Sequence, residues 1–337
     1  KSIKERKSCQ IDIQLQNNHK PQWYKLSMDP IKDDFGNVQQ YMIIMQNIQK
    51  FKDAQWLIES KNKDLVASIS YAQRIQRALL PDAQFVDEFL PKHFFMYRPK
   101  DIVSGDFYFA KYCNDKLFVA VADCTGHGVP GAMITSIGAA ALNNAIFDQQ
   151  LTDPAEILEQ TDAYVKYALS ATEEGLTDGM DIGIIAFDFE NDRLEYSGAR
   201  RPLVILDKLE AELTCLQGDK RSIGEFITDD NVPFTTQYVE IKSEKVVYLF
   251  TDGITDQFGG SRAKRIRFKR VLELIRLHYT KEMDDQNREF CDFYKKWTHN
   301  YEIEQTDDML LFAAQITPEY MFKMKSNTKT MLPYENQ

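Results

Sequence analysis

The chain has 337 residues, with 51 Asp plus Glu against 41 Lys plus Arg and a formal net charge of −10. That length supports one or two packed cores, and 43% hydrophobic with 27% charged residues is a globular composition, which excludes the disordered and fibrous classes. The acidic balance argues against a general nucleic-acid binder, which needs a net basic face.

The chain opens on Lys1-Ser2-Ile3, with no initiator Met and no apolar leader, so it reads as a fragment of something longer without a signal peptide. Residues 1–49 read as short strands. Ile11, Ile13 and Leu15 alternate at period two, Trp23, Tyr24 and Leu26 mark a second strand, Asp34-Phe35-Gly36-Asn37 is a turn, and Tyr41 to Ile48 is a third strand. Three strands this short make a poor independent core. The pattern Trp23…Pro30-Ile31…Asp34…Gly36…Tyr41-Met42-Ile43-Ile44…Asn47-Ile48 resembles the last strands of a PAS sensor domain, so 1–49 is expected to be part of one.

Residues 50–80 contain neither Gly nor Pro. Phe51, Ile58, Leu65, Ala72 and Leu79 fall at a spacing of seven, while Gln55, Asn62 and Gln76 fill other seam positions. This is a helix with a weak heptad. It suits a parallel stalk joining two copies of the chain, and a single amphipathic helix lying on its own domain is the alternative.

From Pro81 the texture is α+β. Strands are expected at Phe94–Tyr97, Gly105–Tyr112, Lys116–Ala122, Met180–Phe189, Arg193–Gly198, Leu203–Leu206, Glu212–Leu216, Phe234–Ile241, Val246–Phe250 and Met309–Ile316. Helices are expected at Pro130–Phe147, Pro154–Leu169, Arg267–Tyr279 and Asp285–Asn300. The short turn Glu190-Asn191-Asp192 makes an antiparallel hairpin. Short connections between strands and helices in pairs give two sheet layers with helices outside, not an alternating parallel fold. A second domain over 81–319 and a polar tail over 320–337 follow. From Cys124 to Phe147, 24 residues carry no Asp, Glu, Lys or Arg, but this stretch holds several Gly and Asn and little Leu, Ile or Val. It reads as a glycine-rich loop and a buried helix, not a membrane span.

The five cysteines, Cys9, Cys113, Cys124, Cys215 and Cys291, are odd in number and form no Cys-x-x-Cys pair. That fits a reducing compartment, the cytoplasm, better than a disulfide framework or a structural zinc.

Four motifs place a carboxylate at the edge of an apolar run: Ser104-Gly105-Asp106, Ala122-Asp123-Cys124-Thr125-Gly126-His127-Gly128, Phe250-Thr251-Asp252-Gly253 and Thr306-Asp307-Asp308-Met309. Any one Asp is explained as a turn or cap residue. An unpaired charge against a core costs several kcal/mol, roughly 2–7 even for a neutral polar group, so its repetition calls for a compensating cation. Carboxylate and carbonyl oxygens without organised His or Cys suit Mg²⁺ or Mn²⁺. Two such ions about 3.5–4 Å apart can clamp a phosphoryl oxygen and activate water.

The order and wording of these motifs resemble the metal-dependent protein phosphatase (PPM) family, in its SpoIIE/RsbU-like branch. The resemblance runs from about Ile69 to Ile316 through Ser70-Tyr71-Ala72-Gln73-Arg74-Ile75-Gln76, Pro99–Tyr108, Asp123–Ala132, Gly179-Met180-Asp181-Ile182, Ser197-Gly198-Ala199, Ser222-Ile223-Gly224, Asp252-Gly253 and Asp307-Asp308-Met309. It implies an antiparallel β-sandwich flanked by paired helices with two divalent cations at one end. Asp123 would bridge the ions, the Cys124 carbonyl and Asp106 would hold the first, and Asp252 and Asp307 the second. The implied reaction is hydrolysis of phosphoserine or phosphothreonine on a partner protein through a metal-bridged hydroxide. A phosphorylated anti-sigma-factor antagonist is the partner type the branch suggests.

The sequence departs from the wider family at the His two residues after the bridging Asp, where Thr125 stands; His127 follows two positions later. Leu310 replaces the usual Thr, and no upstream phosphate-binding Arg can be assigned. Arg98 and Lys100 are candidate phosphate contacts, although strand-end surface charges need no function. The run Arg262, Lys264, Arg265, Arg267, Lys269, Arg270 and Arg276 offers a steering surface for an acidic phosphoprotein or is simply a solvated helix face. Two rivals remain: a non-catalytic phosphoprotein-binding adaptor, and a two-metal nuclease or phosphodiesterase, which the motif wording fits poorly.

Overall fold

The computed structural model describes residues 8–17, 20–81, 83–170, 178–225, 232–299 and 303–328. The chain divides into two units, Lys1–Ser68 and Ile69–Gln337.

In the first unit β1 (Cys9–Asn17), β2 (Lys20–Lys32) and β3 (Val38–Asn47) form one antiparallel sheet in that order. Asp33 accepts the amides of Phe35 and Asn37 and closes the expected turn, with Gly36 at φ 82°, a left-handed value that favours glycine. Helix α1 (Gln49–Leu79) follows. Its first turns are tied to the sheet. Gln49 accepts the Trp23 amide at 2.8 Å, Trp56 packs edge-on against Trp23, and Lys52 pairs with Asp12. Phe51, Leu57, Ile58, Leu65 and Val66 are exposed.

The second unit is a four-layer stack. One five-stranded sheet has the order β11 (Gln237–Glu240), β8 (Arg193–Ala199), β7 (Met180–Asp188), β6 (Lys116–Cys124), β5 (Asp106–Cys113). The other has β10 (Glu212–Leu216), β9 (Leu203–Asp207), β12 (Lys245–Phe250), β15 (Met309–Ile316), β4 (His93–Arg98). Every pairing within them is antiparallel.

Period-two alternation assigns the faces. In β6, Leu117, Val119 and Val121 enter the core between the sheets, while Phe118, Ala120 and Ala122 face α3 (Gly128–Asn143) and α4 (Pro154–Ser170). In β12, Val247 and Leu249 point inward, and Val246, Tyr248 and Phe250 pack beneath α6 (Arg267–His278) and α7 (Met283–His299). Strands apolar on both faces are what a sheet covered on both sides requires. The helices that cover them are the expected pairs. α3 is rich in Gly and Ala because it lies close to the sheet. A Cβ on Gly138 would sit 2.8 Å from the Met180 methyl and 3.0 Å from the Phe107 ring.

Several details differ from expectation. Helix α3 starts two residues before Pro130, since Pro is tolerated in a first turn, and its end turns into a π-helical stretch, Asn144–Asp148. Of the strand expected over Phe234–Ile241, only Gln237–Glu240 pairs. Phe234 is buried beneath the helices, and the Thr236 hydroxyl is engaged by Asp153. Three short elements had no strong pattern: α2 (Ala83–Phe89), α5 (Gly253–Asp256) and the hairpin of β13 (Phe258–Gly259) with β14 (Lys264–Arg265). The tail expected over 320–337 begins instead as a helix, α8 (Pro318–Thr328), because Met321 and Met324 are buried in the inter-sheet core. Residues 329–337 of that tail, Asn300 and the opening Lys1-Ser2-Ile3 lie outside the described residues. Among the described residues no helix is long and apolar enough to cross a membrane.

Because Met321 is fully buried, Met321→Ala should lower the unfolding free energy by about 2–5 kcal/mol, measured by denaturant titration. A surface tail would leave it unchanged.

Candidate active site

The sandwich brings together carboxylates that are far apart in sequence. β5 and β6 pair so that Asp106 lies opposite Asp123, and β6 and β7 so that Asp123 lies opposite Asp181. Three acids therefore stand in a row at one end of one sheet, an arrangement that like-charge repulsion disfavours. The facing sheet supplies Asp252 after β12 and Asp307-Asp308 before β15, and those strands are neighbours. Asp123, Asp181, Asp252 and Asp307 line one cleft of about 410 Å³, together with Cys124, Thr125, His127, Arg201 and Ser222.

Each acid is held differently. Asp106 is 2% exposed and accepts the Thr251 hydroxyl at 2.6 Å, a bond that ties the two sheets together. Thr251 in turn accepts the Leu310 amide at 3.0 Å. Burial, and then the neighbouring charge of Asp123, pushes the Asp106 carboxyl well above the ordinary carboxylate range. Burial likewise lifts Asp123 to about 8, with Arg201 opposing and Asp252 adding to the rise. Asp307 is raised, chiefly by burial. Burial and neighbouring like charge both disfavour the ionised carboxylate.

Asp308 faces inward from its neighbour. Its carboxylate accepts the Lys100 amide at 2.7 Å and the Gly105 amide at 2.8 Å, so it clamps the loop that carries Asp106. The Cys124 thiol is buried against Thr135, and burial pushes it up, which leaves the backbone carbonyl as this residue's usable oxygen donor. Gly126 stands at φ 81° in the loop that enters α3, and its carbonyl lies 2.4 Å from where a Cβ on Gly131 would be. Only glycine at 131 permits that approach.

The remaining sequence candidates separate. Lys100 is exposed, and its ammonium lies 3.1 Å from His127 Nε2, whose Nδ1 is 2.8 Å from Asp101. These three form a polar chain at the cleft rim. Arg98 does not line the cleft; its carbonyl accepts the Gln305 side chain. The basic side chains from Arg262 to Arg276 are exposed.

Two members of the charged cluster around Asp123 were not singled out from the sequence. Asp181 stood in a recognised motif but without a role. Its Oδ1 accepts the Ser222 hydroxyl at 2.5 Å. Arg201 follows Ser197-Gly198-Ala199 and carries no periodic or spacing signal. Its Nη2 lies 2.5 Å from Asp123 and 3.4 Å from each of Asp181 and Asp252. Burial works against its charge, but Asp123, Asp252 and Asp181 together raise its pKa.

The donor chemistry fits hard divalent cations: carboxylates from both sheets, with no His or Cys side chain among them. Yet among the described residues no group of three or more His, Cys, Asp or Glu side chains is arranged to hold an ion. The Arg201 guanidinium lies among the acids and offsets part of their charge.

The four-layer sandwich with an acidic cleft at one end is the PPM (PP2C) class of metal-dependent serine/threonine phosphatase. The chain belongs to its SpoIIE family: the model for Stage II sporulation protein E matches residues 114–317. Among solved structures, the SiaA-PP2C domain of Pseudomonas aeruginosa is 32% identical, with a TM-score of 0.68 over 76% of this chain and 98% of that one. Two others share the fold at lower identity. The PP2C phosphatase domain of SpoIIE from Bacillus subtilis, with a fragment of its regulatory domain, has 15% identity and a TM-score of 0.51 over 67% and 63% of the two chains. The RsbU and RsbW domains of Rv1364c from Mycobacterium tuberculosis have 19% identity and a TM-score of 0.50 over 68% and 61%. A comparison with curated protein sequences gives no match.

Replacing Asp308 with Ala removes both amide acceptors from the 100–105 loop. It should cost about 1.5–3 kcal/mol, the scale of a hydrogen bond to a charged group, and speed amide exchange at Lys100 and Gly105. Unchanged exchange at those two amides would show that Asp308 is not the clamp.

Proposed function

We propose that this chain removes phosphoryl groups from phosphoserine or phosphothreonine of a partner protein, using two divalent cations, Mn²⁺ or Mg²⁺. One observation carries the reading: four carboxylates, drawn from the ends of both sheets, line a single cleft. In this reading Asp123 would serve both cations, the Cys124 carbonyl and Asp106 would help hold the first, and Asp252 and Asp307 would hold the second. When bound, the cations supply Lewis-acid activation of water and neutralise phosphoryl charge. The protein's own groups bind and orient. The 16-residue helix α3 begins at the cleft rim at Gly128, and its N-terminus favours an anion. Lys100 adds a positive charge through the His127 chain. Arg98 has no evident part.

The catalytic domain over 81–319 would take its regulation from the PAS-like residues 1–49 through the helix over 50–80. Contacts near the end of that helix support this. Gln73 donates to the Ile102 carbonyl at 2.5 Å. Gln76 donates to the Ser104 carbonyl at 2.5 Å and accepts the Ser104 amide at 3.2 Å. Ser104 is two residues from Asp106, so a change in the helix would reach the metal-facing loop. The exposed apolar seam of α1 supports a homodimer through residues 50–80, and the free cysteines a cytoplasmic setting. An anti-sigma-factor antagonist is the partner type we favour, with no role for nucleic acid.

Mn²⁺-dependent hydrolysis of an aryl phosphate and of phosphoserine peptides should be abolished by chelation. It should fall about 10²-fold or more in Asp123→Asn or Asp252→Asn, the scale of losing one preorganised charge-stabilising group. A non-catalytic adaptor is the second reading, favoured by the position of Arg201 among the acids. It is the answer if the purified protein binds Mn²⁺ and phosphopeptide yet turns over neither substrate.

Removing residues 1–68 should change the turnover rate or its metal dependence and convert a dimer to a monomer by light scattering. Identical rates and mass would sink the regulatory and stalk assignments together.

A further inference from the structure

We propose that Arg201 is a resident counter-cation: without metal its guanidinium holds Asp123, Asp181 and Asp252 together, and a divalent cation enters by displacing it from Asp123. This rests on the metal-dependent reading above and deepens it. Neither the family motifs nor the candidate ligand set gives this residue a part.

The geometry first rules out a surface ion pair. Arg201 is 9% exposed, and its Nη2 reaches three carboxylates from two sheets at 2.5, 3.4 and 3.4 Å. A buried charge with this many opposite partners is held strongly, and removing it leaves the partners uncompensated. Two of those partners, Asp123 and Asp252, are the acids that a divalent ion would need. A guanidinium and an ion cannot share Asp123 Oδ2 without repulsion between their charges.

The residue is also built so that only the side chain needs to move. Its backbone is fixed. The Arg201 carbonyl accepts the buried Tyr196 hydroxyl, its amide donates to Ala199 at 2.7 Å, and the preceding Arg200 amide donates to Asp219 at 2.8 Å. Arg200 itself stands at φ 58°, a left-handed turn unusual for a non-glycine residue, and its side chain is engaged outward by Glu225. The Arg201 guanidinium is held through Nη2, while its buried Nε has no hydrogen-bond partner among the described residues. A half-satisfied guanidinium has less to lose on leaving than a fully bonded one. Asp181 keeps the Ser222 hydroxyl after the exchange, so it is not orphaned.

The exchange makes opposite predictions for the two states of the protein. Without metal, Arg201→Met should lower the melting temperature, because the acids lose their cation. With metal, the same change should tighten Mn²⁺ binding about tenfold or more, because the competing charge is gone. Isothermal titration calorimetry and thermal melts of the full chain with and without Mn²⁺ read both. Arg201→Lys, which keeps the charge, should bind Mn²⁺ within a few-fold of wild type, roughly the scatter of mutational effects. Nitrogen-15 spectra of arginine side chains in the wild type give a readout that needs no stable variant. On saturation with Mg²⁺ the Arg201 signal, assigned from its loss in Arg201→Lys, should shift as its bond to Asp123 is released.

Wild-type Mn²⁺ binding with unchanged or weaker affinity in Arg201→Met would overturn the exchange, as would an Arg201 signal unmoved at saturating Mg²⁺. Absence of any Mn²⁺ or Mg²⁺ binding by the wild type would overturn the metal-dependent reading itself, and the exchange with it.

Discussion

Carboxylates forced together at one end of a sandwich are the constraint on which the second unit depends. Asp106 and Asp123 are cross-strand partners, the position where like charges are most costly in a sheet. Asp181 extends the row and the other sheet adds Asp252 and Asp307. Asp106 is almost fully enclosed, so water relieves little of this repulsion. What remains is a cation or a strong donor, and the structure supplies one of each. The Thr251 hydroxyl supports Asp106, and Arg201 brings positive charge to Asp123, Asp181 and Asp252.

The rest of the fold keeps that cluster from relaxing apart. The row of acids cannot spread within its sheet because β5, β6 and β7 are locked by continuous antiparallel ladders. It cannot part from the other sheet easily, because Thr251, anchored to the Leu310 amide of its own sheet, bonds Asp106 across the sandwich. Asp308 fixes the loop before Asp106, and the close approach of Gly131 to the Gly126 carbonyl fixes the loop after Asp123. The apolar strands on either side make the core rigid enough to bear the strain, since packed interiors resist small displacements.

What could be read from the sequence follows the same physics. Strands alternating two apolar faces, the paired helices and the Asp residues at strand ends are local patterns, and they were legible. Asp181 is a polar residue at the start of an otherwise apolar strand, the same signal that marked Asp123, and it was passed over. Arg201 could not be found that way. It sits in an irregular turn, and its partners are 78, 20 and 51 residues away, separations that appear only once β6, β7 and β12 are in place. The helix at Pro318–Thr328 was hidden because Tyr320, Met321 and Met324 face the core while the adjacent Phe322 is exposed, so the apolar residues do not mark one face by pattern alone.

Gln76 shows why a weak heptad can be informative. As a seam residue it lowers the affinity of one helix for another, and by pattern alone it counts against a stalk. In the fold it is 5% exposed and makes two hydrogen bonds to the backbone of Ser104. An apolar side chain at that position would strand the Ser104 amide inside the protein, at a cost of about 1–3 kcal/mol, and would leave the Ser104 carbonyl with the Thr135 hydroxyl alone. The polar interruption is therefore set by the catalytic unit, not by a partner helix. The last turns of α1 are committed to the loop that carries Asp106, and any self-association must use the seam before them, where Phe51, Ile58 and Leu65 are exposed. The helix therefore serves two purposes along its sequence, an apolar stripe in its earlier turns and polar contacts to the 102–104 backbone in its last ones. Gln49–Leu79 runs without Gly or Pro for that whole length.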